Sequence, residues 1–250
     1  MLHALPANRR WRRLALWLRK PLKSSFGPWV DVVVWGLKLR LHSCGNLSEQ
    51  RLLLMPQFLD PAERLALAEA LKDGGVFFDI GANAGMYALW VASRHVPGTR
   101  VEAFEPDPEL CAALRFNLRT NGLVTVHLHP LALGREEGRV AMVSGTGNKG
   151  ENHIDASPGA PGVAVEMTTL PGFLVRAGIT HITALKIDVE GHETEVLEPL
   201  FAQCPRELWP RLLVCEVVHD ESNRLAMLLA RHHYRLSARG RLNSIYHLIP

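Results

Sequence analysis

Two short segments constrain this chain more than any other part of it. Residues 77–85 read Phe-Phe-Asp-Ile-Gly-Ala-Asn-Ala-Gly, and Val101-Glu102-Ala103-Phe104-Glu105-Pro106 follows. The first is an apolar run that ends in Asp79, turns through Gly81 and Gly85, and opens a helical stretch from Met86 to Arg94. The second is another apolar strand, ending in an acid 20 residues past Gly85. A glycine turn after one strand and a carboxylate at the tip of the next build a site for an adenosine: the turn admits close approach, and the carboxylate accepts hydrogen bonds from both ribose hydroxyls.

The identity of the residues between the glycines narrows the ligand. Dinucleotide sites favour Gly-x-Gly-x-x-Gly, because a pyrophosphate presses against the turn and the helix N-terminus. Here Asn83 replaces the middle glycine, and Asp79 would repel a pyrophosphate. S-adenosyl-L-methionine carries a sulfonium and an amino acid but no phosphate. It suits Asp79, Gly81, Asn83, Gly85 and Glu105 better, and Ala132 at the third strand tip is expected beside it. The bland alternative is an ordinary strand-turn-helix with structural glycines, and Glu105 at the expected distance counts against it.

The chain has 250 residues, 47% of them hydrophobic, and a formal net charge of +3. That is enough for one buried α/β core with an appendage. The expected division is an N-terminal helix-and-strand extension over 1–73 and a ligand-binding domain over 74–250. Cys44, Cys111, Cys204 and Cys215 are scattered without a Cys-x-x-Cys, which fits a reducing, cytoplasmic setting. No apolar stretch is long enough to span a bilayer, and the N-terminus lacks the order of a secretion signal.

The pattern predicts a helix over Arg9 to Lys20, a half-buried strand at Leu37, Leu39 and Leu41, and a helix over Pro61 to Lys72 with Asp60 as its N-cap. Strands then alternate with helices: Val76–Ile80, Arg100–Phe104, Val124–Leu128, Ala184–Val189 and Arg211–Val218 are strands, and Met86–Arg94, Pro108–Thr120, Leu170–Ala177, His192–Gln203 and Ser222–His232 are helices. Gly138–Val143 and Val163–Thr168 flank a Gly- and Pro-rich loop, 144–162, expected to be a mobile lid over the acceptor. A hairpin, Tyr234–Ser237 with Ser244–Ile249, closes the chain. This predicts a doubly wound, mostly parallel seven-stranded sheet with a C-terminal antiparallel hairpin.

Ligands of such sheets sit beyond the carboxyl ends of the strands. The fourth tip is dense in charge: Leu185-Lys186-Ile187-Asp188-Val189-Glu190-Gly191-His192-Glu193. Two charges in an apolar parallel strand are costly unless used, so Lys186, Asp188 and Glu190 are the catalytic candidates, with Asp188 or Glu190 as base. The alternative for Lys186 and Asp188 is a satisfied ion pair, and Glu193 reads as a helix-capping residue. His192, Glu216, His219 and Asp220 offer metal-binding atoms without metal-site spacing.

Residues 78–85, Phe104-Glu105-Pro106 and 185–193 together resemble the FkbM-type methyltransferases, over roughly Val76 to Val218. The resemblance implies adenosylmethionine as donor, and O-methylation of a hydroxyl on a saccharide or secondary-metabolite acceptor. It supports the donor and active-site residues named above. The rival readings are a nicotinamide-dependent reductase and a non-catalytic partner protein of the same fold. The extension is expected to shape the acceptor side rather than the donor side. Arg9, Arg12 and Arg13 beside Trp11 and Trp17 read either as a solvated helix face or as a weak membrane-surface contact. No aromatic platform accompanies the basic residues, which argues against nucleic acid.

Overall fold

The computed structural model describes residues 27–145, 147–155, 157, 159–218, 220 and 223–249. The helix expected over Arg9 to Lys20 lies outside them, as does His219. The described chain opens with a hairpin, β1 (Trp29–Val34) and β2 (Leu37–His42), then α1 (Leu47–Leu54) and α2 (Pro61–Ala70). The alternating unit follows: β3 (Gly75–Ile80), α3 (Met86–Ser93), β4 (Thr99–Phe104), α4 (Pro108–Thr120) and β5 (Val126–His129). Next come β6 (Ala132–Gly134), β7 (Gly138–Val143), β8 (His153–Asp155), β9 (Val163–Thr169) and α5 (Leu170–Ala177). The chain closes with β10 (Ala184–Ile187), α6 (Glu193–Gln203), β11 (Leu212–Glu216), α7 (Arg224–Arg231), β12 (Tyr234–Arg239) and β13 (Asn243–Leu248).

Seven strands form the main sheet in the order β12-β13-β11-β10-β3-β4-β5. The five from β11 to β5 run parallel, and β13 enters antiparallel between β11 and β12. Successive residues of a strand face opposite sides, and both sides are covered. Phe77, Ala184 and Val214 face one cluster, with Leu89 and Leu114 from the helices. Phe78, Leu185 and Leu213 face another, with Leu174, Leu197 and Leu229. Burial on both faces is why these strands read as apolar runs rather than alternating patterns. Leu39, Leu41, Leu52 and Leu67 of the extension belong to the same cluster as Phe77. A second, four-stranded sheet, β6-β9-β7-β8, has its own small core around Met142, Val165 and Met167.

Several expectations are corrected. Strand β1 and helix α1 were not expected: β1 alternates only weakly, and the cap of α1, Asn46, precedes a short helix of low amphipathicity. Strand β10 stops at Ile187 rather than Val189, because Glu190 (φ 54°) and Gly191 (φ 97°) turn left-handed. Asp60 stands at the N-cap position of α2 but makes no side-chain cap bond; its backbone is left-handed (φ 37°, ψ 60°). The 144–162 segment is not structureless, since it contains a 3₁₀ turn at Lys149–Glu151 and β8, which pairs with β7.

The hairpin docks on the core through two side-chain amides. Asn117 on α4 accepts from the Arg40 amide (2.8 Å) and donates to the Arg40 carbonyl (3.1 Å). One turn later Asn121 does the same for Lys38, at 2.8 Å each way. The two amides stand where a neighbouring strand would, and blunt the free edge of β2. Asn117 is fully buried. Replacing Asn117 with Ala should cost about 1–3 kcal/mol, because two backbone groups of Arg40 lose their partners. Urea denaturation with an unchanged midpoint would contradict this.

Candidate active site

The turn after β3 is clamped between the tips of its two neighbours. The Gly81 and Ala82 amides donate to the Phe104 carbonyl at 3.1 and 2.8 Å, and the Asp188 amide donates to the Ile80 carbonyl at 3.0 Å. Gly81 is left-handed (φ 72°), and a Cβ there would lie 1.8 Å from the Asp188 carbonyl oxygen. The glycine is therefore demanded by the approach of the β10 tip. At Gly85 (φ 85°) a Cβ would meet the Leu114 side chain at 2.3 Å. Asn83 supplies the third left-handed residue of the turn (φ 54°), a conformation Asn tolerates better than most residues.

A cavity of about 220 Å³ runs along the carboxyl ends of these strands. By strand order, Asn83, Glu105 and Ala132 line the end nearer β4 and β5, Lys186, Asp188, Glu190 and Glu216 line the end nearer β10 and β11, and Gly81 of the β3 turn lies between. Asp79 and Gly85 do not line it. Asp79 is buried beneath it, where its carboxylate accepts from the Ala88 amide of α3 at 2.9 Å. Burial pushes its pKa up to about 6, against the pull of the Lys186 ammonium and that amide. Two glycines and an acid expected at the ligand thus divide: Gly81 lines the wall, while Asp79 and Gly85 hold the turn in place.

Glu105 is buried at the cavity wall. One carboxylate oxygen accepts from the Asn83 amide at 2.7 Å, the other from the Asp107 amide at 2.8 Å. Each oxygen keeps a further lone pair. Burial raises its pKa to about 7, opposed by those two amides. Apolar side chains, among them Ile80, Phe104, Leu110, Leu133 and Met142, complete this end.

At the opposite end the Lys186 ammonium is buried and lies 2.7 Å from Asp188 Oδ2, so the ion pair weighed from sequence does form. Burial pulls the Lys186 pKa down, but Asp188 and Asp79 outweigh it and hold it above the ordinary value. Its Nζ also sits 5.3 Å from the centre of the Tyr87 ring. Glu193 does more than favour the helix dipole: its carboxylate accepts from the Val189 amide (2.9 Å) and fixes the turn that carries Glu190. Carboxylate oxygens of Asp188, Glu190 and Glu216 lie within 4.8 Å of one another. Such an all-oxygen set suits a hard cation; here the Lys186 ammonium is the counter-charge of Asp188. Glu216 is the residue that sequence reasoning underused, since its strand gives no motif. Burial and the carboxylates of Asp188 and Glu190 push its pKa well above the ordinary carboxylate range. His192 and Asp220 do not line the cavity, and Asp220 accepts from the Leu225 and Ala226 amides at the start of α7.

Two further segments close the cavity. Asn46 caps α1 and donates to the Asn83 side chain at 2.6 Å. The extension therefore reaches the turn after β3 through Asn46, and it also lines the cavity through Arg51 and Asp60. Asn148, Lys149 and Asn152 of the 144–162 segment also line the cavity. That segment is fastened by the Lys149 amide to the Gly45 carbonyl (2.8 Å) and by Asn152 to Asp107 (2.7 Å).

With this geometry in view, comparison with known proteins places the chain. Residues 79–236 match the methyltransferase FkbM domain. The chain is 33% identical, over 190 residues, to the 31-O-demethyl-FK506 methyltransferase FkbM of Streptomyces tacrolimicus, covering 64% of this chain and 71% of that one. It is 28% identical over 148 residues to Methyltransferase 1 of Beauveria bassiana, covering 51% and 59%. The solved methyltransferase FkbM of Methylobacillus flagellatus superposes with a TM-score of 0.49 at 19% identity over 70% of this chain; the match spans 44% of that longer chain. The chain belongs to the FkbM methyltransferase family.

The two glycines separate in a testable way. Gly81→Ala drives a Cβ into backbone, and Gly85→Ala into the end of a side chain. Both incur left-handed strain of about 1–3 kcal/mol, and Gly81→Ala adds a clash that only backbone movement relieves. Thermal denaturation should rank Gly81→Ala as the more damaging; the reverse order would refute the clamp.

Proposed function

We propose that this methyltransferase takes its methyl group from S-adenosylmethionine and delivers it to a hydroxyl of a saccharide or secondary-metabolite acceptor. The observation that carries the reading is the single cavity with the Glu105 carboxylate at one end and the Lys186, Asp188, Glu190 and Glu216 group at the other. The donor-side residues fit an adenosine. Glu105 has one lone pair free on each oxygen for the two ribose hydroxyls, and the apolar side chains around Phe104 and Leu133 suit the base. An acidic wall is wrong for a pyrophosphate, which counts against the reductase reading.

When bound, the donor would supply an electrophilic methyl on sulfur, so that a C–O bond to the acceptor would form as the S–CH₃ electron pair returned to sulfur. The chain's own residues supply placement and a proton acceptor. Asp79 anchors α3 to β3 and so holds the turn. The acceptor hydroxyl meets the carboxylate group, where Asp188 or Glu190 accepts its proton. Lys186 keeps Asp188 in position. Glu216, with its raised pKa, holds a proton near neutrality and stabilises the charge on its neighbours.

Donor affinity should follow the ionisation of Glu105. Below about 7 the buried carboxyl is protonated and loses acceptor capacity, so affinity for adenosylhomocysteine should tighten as pH rises from 5.5 to 8. In the free protein the contribution of Glu105 to stability should run the opposite way. The unfolded chain releases this proton near 4.5 and the folded one near 7, so this group's contribution is lost as pH rises through that window. Glu105→Ala should weaken binding by roughly 1.5–3 kcal/mol and flatten the binding profile. Calorimetry that finds affinity independent of pH and of Glu105 would exclude this role.

Loss of the proton acceptor should act on rate alone. At least one of Asp188→Asn and Glu190→Gln is expected to slow turnover by about 100- to 10,000-fold, with adenosylhomocysteine affinity retained. Wild-type rates in both variants across pH 6–9 would rule the assignment out.

A further inference from the structure

The end of the cavity beyond Lys186 contains polar groups that the methyl-transfer step does not use. Asp60 is the first. Its left-handed backbone is strained for a residue with a Cβ, and its side chain forgoes the cap bond that its position at α2 offers. Instead its carboxylate lines the cavity, held by Arg51 (Nη2 to Oδ1, 2.9 Å) and by the Tyr87 hydroxyl, which donates to Oδ2 at 3.1 Å. Arg51 lines the cavity too. The second is Asn243, the first residue of β13, which is paired in register with Glu216 on β11. It is 4% exposed and lines the same cavity, yet among the described residues its buried Oδ1 finds no hydrogen-bond partner. Its Nδ2 makes a long bond to Glu63, at 3.4 Å. A buried acceptor left unpaired is costly, and a ligand that donates a hydrogen bond would relieve it.

Resting on the reading of this cavity as a methyltransferase site, we propose that Asp60 and Asn243 grip a second hydroxyl of the acceptor, so that the enzyme selects a neutral polyol over a simple alcohol. The chemistry of the groups sets the class. Asp60 and the Asn243 oxygen accept hydrogen bonds, and Arg51 donates them. A hydroxyl does both, so one polyol satisfies all three. The Arg51 charge is already balanced by Asp60, so the pair gives an anionic acceptor no net attraction. Position sets the role. Tyr87 touches Asp60 through its hydroxyl while its ring lies against Lys186, which places the grip one tyrosine ring from the Lys186–Asp188 pair. Asn243 stands beside Glu216. A hydroxyl held there orients the acceptor and leaves another of its hydroxyls at the carboxylates. Sites built to hydrogen-bond a hydroxyl discriminate strongly against analogues that lack it.

The test uses the full chain, isotopically labelled adenosylmethionine, and two probes with the same six-membered ring: myo-inositol and cyclohexanol. Wild type should methylate myo-inositol with kcat/KM at least roughly 10-fold above cyclohexanol. Asp60→Asn, which tolerates the left-handed backbone, and Asn243→Ala should each reduce that ratio by about 10-fold, mainly through KM for myo-inositol. Their affinity for adenosylhomocysteine should match wild type. Equal use of the two probes by wild type, or an unchanged ratio in both variants, overturns the proposal. Binding of adenosylhomocysteine without transfer to either probe overturns the polyol grip and leaves the donor reading standing. Failure to bind adenosylhomocysteine overturns both.

Discussion

The Lys186 ammonium is buried in the middle of a parallel sheet, where an unpaired charge costs several kcal/mol. Asp188 at 2.7 Å, the nearby Asp79 and the Tyr87 ring make its place tenable. The dependence runs both ways. Without that cation, Asp79, Asp188, Glu190 and Glu216 would leave carboxylates crowded at adjacent strand tips, and burial already raises the pKa values of Asp79 and Glu216. Lys186 therefore supplies the counter-charge that lets these carboxylates share neighbouring strand tips.

Backbone contacts convert this charge arrangement into a fixed shape. The Asp188 amide bonds to the end of β3, and its carbonyl sits against Gly81, so the turn after β3 and the tip of β10 form one rigid unit. A displacement of either would move both. The roof is built from residues distant in sequence. Asn46 of the extension bonds to Asn83 of the turn, and Lys149 of the 144–162 segment bonds back to Gly45. A segment that is irregular in sequence is thereby tied to the extension.

Legibility in the sequence followed burial. The parallel strands and the helices that cover them were readable because both faces are apolar and their ends carry Gly, Asn or Pro. Helices α4 and α5 match the expected ranges residue for residue, Pro108–Thr120 and Leu170–Ala177. Asp60 was misread for a physical reason. Asp before Pro61 is a strong N-cap signal, and only the tertiary pull of Arg51 and Tyr87 turns it elsewhere. Glu216 and Asn243 carry no local motif; their meaning comes from lying side by side on antiparallel strands.

The sequence alone determined the parallel strands, the helices that cover them, and the acids at 79, 105, 188 and 190 at the strand tips. These follow from local rules: hydrophobic period, glycine conformation and the cost of charge in an apolar strand. Tertiary structure decided which of those acids face the cavity. It put Asp79 beneath the wall and Glu105 on it, although each ends a neighbouring strand. It also recruited Arg51, Asp60 and Asn243 from opposite ends of the chain. No local rule encodes such contacts, because they exist only once β13 has inserted beside β11 and the extension has packed against the same core.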